Sequence, residues 1–259
     1  MNQSTTQKLP GVHILSAWGS YVIFCAETMR RIFFPPVSIK LLVKQMEFVG
    51  VHSFWVIVLA SIMIGAVFGI QFGSIFRIFG AESMIGAAAS FALSKELAPV
   101  IGSFLVTGRS GSAMAAETAT MKVNEQIDAM KVMAVNPIGY LASPRVLASM
   151  IMMPLLCSFF IICGTLSCFI IGVIIFDVDV GIFVDKIRWI SKPIHIIQGL
   201  QKAVIFGAIF STVGCYKGFH AGGGAKGVGK ATTEAVVVSL VAILLVDFVI
   251  SYYQLDDIF

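Results

Sequence analysis

The chain has 259 residues, 58% of them hydrophobic and 12% charged, with a formal net charge of +4 and a mean hydropathy of +0.93. A soluble domain carries about 25% charged residues, so the composition is that of an all-α integral membrane protein. At about 20 apolar residues per crossing the length allows five or six spans and leaves no room for a soluble catalytic domain, and the lack of a basic block argues against a nucleic-acid partner.

Residues 12–34 are apolar but interrupted by serines, Gly19 and Glu27, and they stop at Pro35 and Pro36. The pattern predicts an N-terminal amphipathic helix lying in the membrane interface, with a crossing as the alternative. Arg30 and Arg31 follow the apolar stretch, the reverse of the order in a cleavable signal. Five longer stretches read as transmembrane spans, at 53–75, 85–107, 146–176, 196–219 and 233–253. With the N-terminus cytoplasmic, 12 Lys and Arg fall inside and 4 outside, and the C-terminal tail carries Asp256 and Asp257 without a base. Because basic residues collect on the cytoplasmic side, the N-terminus is expected inside and the C-terminus outside.

The first span holds Gly65, Gly69 and Gly73 at a spacing of four, a ridge without side chains against which another helix backbone can pack closely. It suits packing within one subunit or self-association. The second span places Lys95 and Glu96 midway along an apolar helix. Charges at that depth face a protein interior or a watered cavity, so Lys95, Glu96 and Pro99 are candidate cavity residues. The alternative is a structural ion pair, either between the two or with the other in-span charges, Lys202 and Asp247. Pro99 withdraws a backbone donor close by, which predicts a local kink.

Residues 108–145 form the longest predicted cytoplasmic connection. Within it 124–135 reads as a short helix, with Asn124 as N-cap, Glu125 and Asp128 early, Lys131 late, and Asn136 and Pro137 as the stop. Ile127, Met130, Met133 and Ala134 make an apolar stripe. Acidic groups beside methionines suit docking into a groove of another protein, whereas a helix lying on the bilayer usually has a basic polar face. Arg109 and Glu117, eight residues apart, are placed to tie the end of the second span to the connection after it.

Several patterns are decoys. Residues 224–230 fit GxxxxGK, but Ala231 stands where a Ser or Thr belongs, and the glycines at 222, 224 and 227 fit GxGxxG without the strand that either motif requires. The segment reads as a loop, with Thr232 or Thr233 and Glu234 opening the last helix. His13, His52, His195 and His220 and the five cysteines show no metal-ligand spacing, and Asp177, Asp179 and Asp185 read as a solvated outer loop.

The stretch with KELAPV (95–100), GRSGSAMAAE (108–117), MKVNEQIDAMKVM (121–133), NPIGYL (136–141) and Pro144-Arg145, and the block YKGFHAGGGAKGVGKATTEAVV (216–237), resemble the MlaE family of ABC-transporter permeases, which includes Mce-associated and chloroplast lipid-import permeases. The resemblance implies a homodimeric permease in a bacterial inner membrane that handles phospholipid or a related lipid. It further implies a separate cytosolic ATPase, a periplasmic MCE-domain protein and often a small STAS-domain subunit. On this reading the chain itself holds no cofactor, ATP and magnesium belonging to the ATPase, and it is not an enzyme. Glu125, Gln126, Asp128, Ala129, Met130 and Met133 fall on the family's coupling helix, and Lys95 and Glu96 on the helix lining the lipid cavity. Arg109, Glu117, Gly65, Gly69, Gly73 and Asp247 take structural or gating roles. The family often has Arg at the position of Lys95; lysine keeps the charge without the bidentate fork. The rival reading is a self-sufficient secondary transporter with Glu96 or Asp247 as proton carrier.

Overall fold

The structure, a computed structural model, describes residues 10–34 and 38–254; the stop at Pro35 and Pro36 and the acidic tail lie outside them. The described chain is helical with no strand. In order come α1 (Pro10–Phe33), α2 (Ile39–Ile78), α3 (Glu82–Val123), α4 (Gln126–Val132), α5 (Ile138–Ile174), α6 (Val180–Ile190), α7 (Pro193–Phe219) and α8 (Gly224–Tyr253). The five helices α2, α3, α5, α7 and α8 are long and apolar enough to cross a membrane, which makes this a multi-pass membrane fold.

All five of these helices extend beyond the stretches read from hydropathy at one end or both, with α5 starting at Ile138 instead of 146 and α7 at Pro193 instead of 196. Helix α2 starts at Ile39, α3 runs on to Val123, and α8 opens at Gly224, with Gly223 as N-cap, two turns before Thr232. In α3 and α8 glycines make the extra segments look like loops, because glycine loses the most conformational freedom on ordering, and in α2 the charges of Lys40, Lys44 and Glu47 lower the hydropathy. Gly50 packs against Met152 and Gly111 against Phe210, whereas Gly108, Gly222, Gly223, Gly224 and Gly229 have open space at the Cβ position. The glycine-rich block runs into the first turns of α8 and follows a helix instead of a strand, so the phosphate-loop patterns are excluded by their surroundings. Helix α6 stands where a solvated loop is expected: Asp179 caps it by accepting from the Ile182 amide at 3.0 Å, and Phe183 is buried beside Gly86 and Gly172, where added Cβ atoms would come within 2.5 and 2.8 Å of the ring.

Among the described residues four turns widen to π-helical geometry, at Glu47–Val51, Leu93–Leu97, Thr107–Gly111 and Ile138–Ala142. The second lies just before Pro99: the Ala98 amide bonds the Leu93 carbonyl five residues back, so the expected distortion takes the form of a bulge.

Within a bilayer, helices associate through close van der Waals packing at small residues. Gly65 and Gly69 are buried against α5 and Gly73 against Phe176 just after it; a Cβ on Gly65 would lie 2.1 Å from the Gly164 carbonyl oxygen. Of the two uses open to the ridge, packing within the subunit is the one seen. Helix α7 threads the centre: a Cβ on Gly199 would meet the Ser94 carbonyl at 2.0 Å and one on Gly207 the Ser149 carbonyl at 2.7 Å. Phe160, Phe206, Phe210 and Met153 fill the core around it. Helix α1 is seated through Phe24 against Cys215 and Ala142, with Tyr21 and Thr212 hydroxyls 2.9 Å apart. Gly65→Ala therefore forces two backbones apart, and a loss of about 1–3 kcal/mol is expected in thermal unfolding of the detergent-solubilised protein. Gly102→Ala, where a Cβ meets nothing within 4 Å, is the control; equal effects of the two would overturn the packing role.

Candidate functional site

Lys202 on α7 is fully buried, and its ammonium has three neighbours. It donates to Glu96 Oε2 on α3 at 2.6 Å and to Ser251 Oγ on α8 at 2.7 Å, and it lies 2.9 Å from Asp247 Oδ1. An ammonium has three protons; two are used on Glu96 and Ser251, and Asp247 faces the ammonium as a charge partner without a hydrogen bond of good geometry. Burying an isolated charge costs several kcal/mol, offset only when partners of good geometry surround it. Glu96 is about 40% exposed at the edge of the network, whereas Asp247 is mostly covered. Sequence reasoning misses Ser251, although it lies one turn beyond Asp247 on the same helix face.

Lys95 does not join its neighbour. It is 5% exposed, its ammonium sits 5.7 Å from the centre of the Phe91 ring, and it makes no ion pair among the described residues. A Glu96–Lys202–Asp247 cluster thus takes the place of a Lys95–Glu96 pair, with Lys95 apart from it. Pro99 is buried just beyond the widened turn.

Arg109 and Glu117 tie α3 to two different helices. Arg109 reaches back to α2, donating to the Phe48 carbonyl at 3.0 Å and to Ser53 Oγ at 3.1 Å, so it joins the widened turn at Thr107–Gly111 to the one at Glu47–Val51. Glu117 reaches forward, accepting from Arg145 of α5 at 2.8 Å, while Arg145 also bonds Thr118. Arg145 is 5% exposed and stands out in the sequence only as part of a motif.

Helix α4 is shorter than the predicted 124–135, and its ends differ from the prediction. Asn124 does not cap it. The N-cap position is Glu125, in the left-handed region at φ 58°, and a second left-handed residue, Ala134 at φ 59°, closes the far end. Asn136 serves the next helix, accepting from the amides of Ile138 and Gly139, and its Nδ2 donates to Glu27 of α1 at 3.1 Å. The predicted apolar stripe divides: Ile127 is buried against the chain, whereas Met133 is 67% exposed and Ala134 is exposed; Val132, outside the stripe, is 88% exposed beside them. Glu125, Gln126 and Ala129 are exposed, and Met130 is half-buried. Asp128 accepts from Lys122 at 2.7 Å and Lys131 at 3.0 Å, and these bonds hold its carboxyl below the ordinary carboxylate range. Among the described residues no group of three His, Cys, Asp or Glu is placed to hold a metal ion.

Lys202→Ala leaves Glu96 facing Asp247 without the cation, and a loss of about 3–5 kcal/mol is expected in thermal unfolding; Lys202→Met combined with Glu96→Gln and Asp247→Asn recovers much of it. A lowered carboxylate pKa means that the Asp128 clamp contributes above the ordinary carboxylate range and is lost as pH falls through the lowered value. A spin label at Gln126 is expected to gain mobility on such acidification, and in Asp128→Asn to be mobile at every pH; a pH-independent signal in the parent would refute the clamp.

The family model described as Permease MlaE matches residues 42–253. A probable ABC transporter permease protein of Rickettsia felis is 39% identical over 233 residues, covering 90% of each chain. The Arabidopsis thaliana chloroplast protein TRIGALACTOSYLDIACYLGLYCEROL 1 is 38% identical, covering 90% of this chain and 67% of its own. A probable ABC transporter permease protein of Synechocystis is 34% identical over 93% of each. The chain belongs to the MlaE family of ABC-transporter permeases.

Proposed function

We propose that this permease moves phospholipid or a related lipid between a bacterial inner membrane and a periplasmic MCE-domain carrier. It works as a homodimer driven by a cytosolic ATPase, with a small STAS-domain subunit as a further partner. The N-terminus lies in the cytoplasm, α1 rests in the interface, and the C-terminus is periplasmic. ATP and magnesium stay in the ATPase; this chain supplies the lever and the cavity wall. Lipid as the substrate class draws support from the glycerolipid in the name of the chloroplast relative. Membership of an ABC-permease family favours the ATP-driven reading over the proton-coupled one.

The observation that carries the proposal is the continuity of α3. One 42-residue helix contributes Glu96 to the buried network and leads directly into α4, whose outer surface presents Val132 and Met133. A push on α4 passes through the Glu117–Arg145 pair to α5 and along α3 to the network. Glu96, at the open edge, then lines the cavity between subunits, and Lys95, covered in this state, offers charge to a headgroup once the helices part.

Docking through exposed apolar residues predicts that Val132→Asp with Met133→Asp lowers ATPase binding by at least about tenfold, since each is a hot-spot-sized loss. ATPase recovered with the tagged permease, and lipid transfer in reconstituted vesicles, measure it. Full binding and transfer with normal membrane insertion would reject α4 as the docking helix.

A further inference from the structure

A cleft of about 500 Å³ opens between α3, α5, α6 and the start of α7, within the range of about 300–1,000 Å³ typical of small-ligand sites. It touches neither α4 nor the Glu96–Lys202–Asp247 cluster. Its walls are apolar, with Ile162, Leu166 and Ile196 among them. Of its polar lining residues, Ser90 and Ser191 bond each other at 3.2 Å, and two others are left without a partner among the described residues. The hydroxyls of Ser94, which is wholly buried, and of Thr165 have no hydrogen-bond partner, and buried hydroxyls are costly unless paired. Both line this cleft, so a ligand with acceptor oxygens would satisfy them.

The rim fixes the kind of ligand. Arg188 is an exposed lining residue without an ion pair among the described residues. Next to it Trp189 is 66% exposed, with the Lys186 ammonium 5.3 Å from its ring centre. Exposed Trp beside basic residues marks the headgroup level of a bilayer, which puts Arg188 at the depth of lipid phosphates. We propose that the cleft seats one anionic glycerolipid, with an acyl chain along Ile162, Leu166 and Ile196, ester oxygens accepting from Ser94 and Thr165, and the phosphate at Arg188. The inference needs only a membrane-spanning chain, so it stands or falls apart from the transport route.

The test uses the full-length protein in phosphatidylcholine vesicles containing a trace of phosphatidylglycerol with a photoreactive acyl chain, the labelled residues being read by mass spectrometry. Labelling of Ile162 and Leu166 is expected to exceed that of Leu59 on α2, which is similarly exposed at 63% against 60% and 57%, by about fivefold. Arg188→Glu is expected to remove about fivefold of the labelling, the effect of one basic group near a membrane surface, and to leave labelling by the matching phosphatidylcholine probe unchanged. Thr165→Val, close in shape, also reduces it. Even labelling of α2 and α5, or indifference to Arg188→Glu, overturns the proposal in favour of ordinary surrounding lipid. Cleft residues shielded in native membranes but labelled after purification overturn it in favour of a protein helix as occupant.

Discussion

An ammonium with no access to water must be met by opposite charge, and in this fold that single requirement fixes how three helices stand. Lys202 can be buried in α7 only if α3 brings Glu96 and α8 brings Asp247 and Ser251 to the same point. A shift of one helix by a turn would leave a charge unpaired in an apolar interior, a far larger penalty than the loss of any one methyl contact. The cluster is therefore weak evidence for overall stability but a strong constraint on register.

Outside that cluster, close approach does the joining. Gly65 against Gly164, Gly199 against Ser94 and Gly207 against Ser149 bring backbones to distances that any side chain would forbid. Since lipid is as apolar as leucine, such contacts and internal polar bonds hold the bundle together. Arg109 and Arg145 provide those bonds at the end of α3 nearest α4, one toward α2 and one toward α5. Helix α1 joins the same assembly through Glu27 and Asn136, so the segment after α4 is held on two sides.

Hydropathy alone reveals the five long helices, because a membrane core demands long apolar runs. The four-residue glycine spacing and the charged pair at 95–96 are legible for the same reason: each is exceptional in such a run. Three things are not. The extent of α3 is hidden because Gly108, Ser110 and Gly111 mimic a loop, and only Arg109 bonding to α2 shows why the helix continues. The choice of Lys202 as partner of Glu96, with Lys95 left out, depends on residues more than a hundred positions apart, which local spacing cannot specify. Asp128 reads from sequence as a docking charge, because its partner Lys122 lies across a turn whose left-handed Glu125 no periodicity announces.

The widened turns also set the angular bookkeeping of α3. Each π-helical turn accommodates one residue more than regular α-helix needs, and one residue corresponds to about 100° of rotation. The bulge at Leu93–Leu97 and the one at Thr107–Gly111 thus orient three helical faces independently: one toward Phe183, one toward the ion cluster, and one bearing Glu117 toward Arg145. In a helix without them, Glu96 and Glu117 could not both meet their partners at the same time. A chain one residue shorter within either turn would be a more regular helix and a misaligned protein.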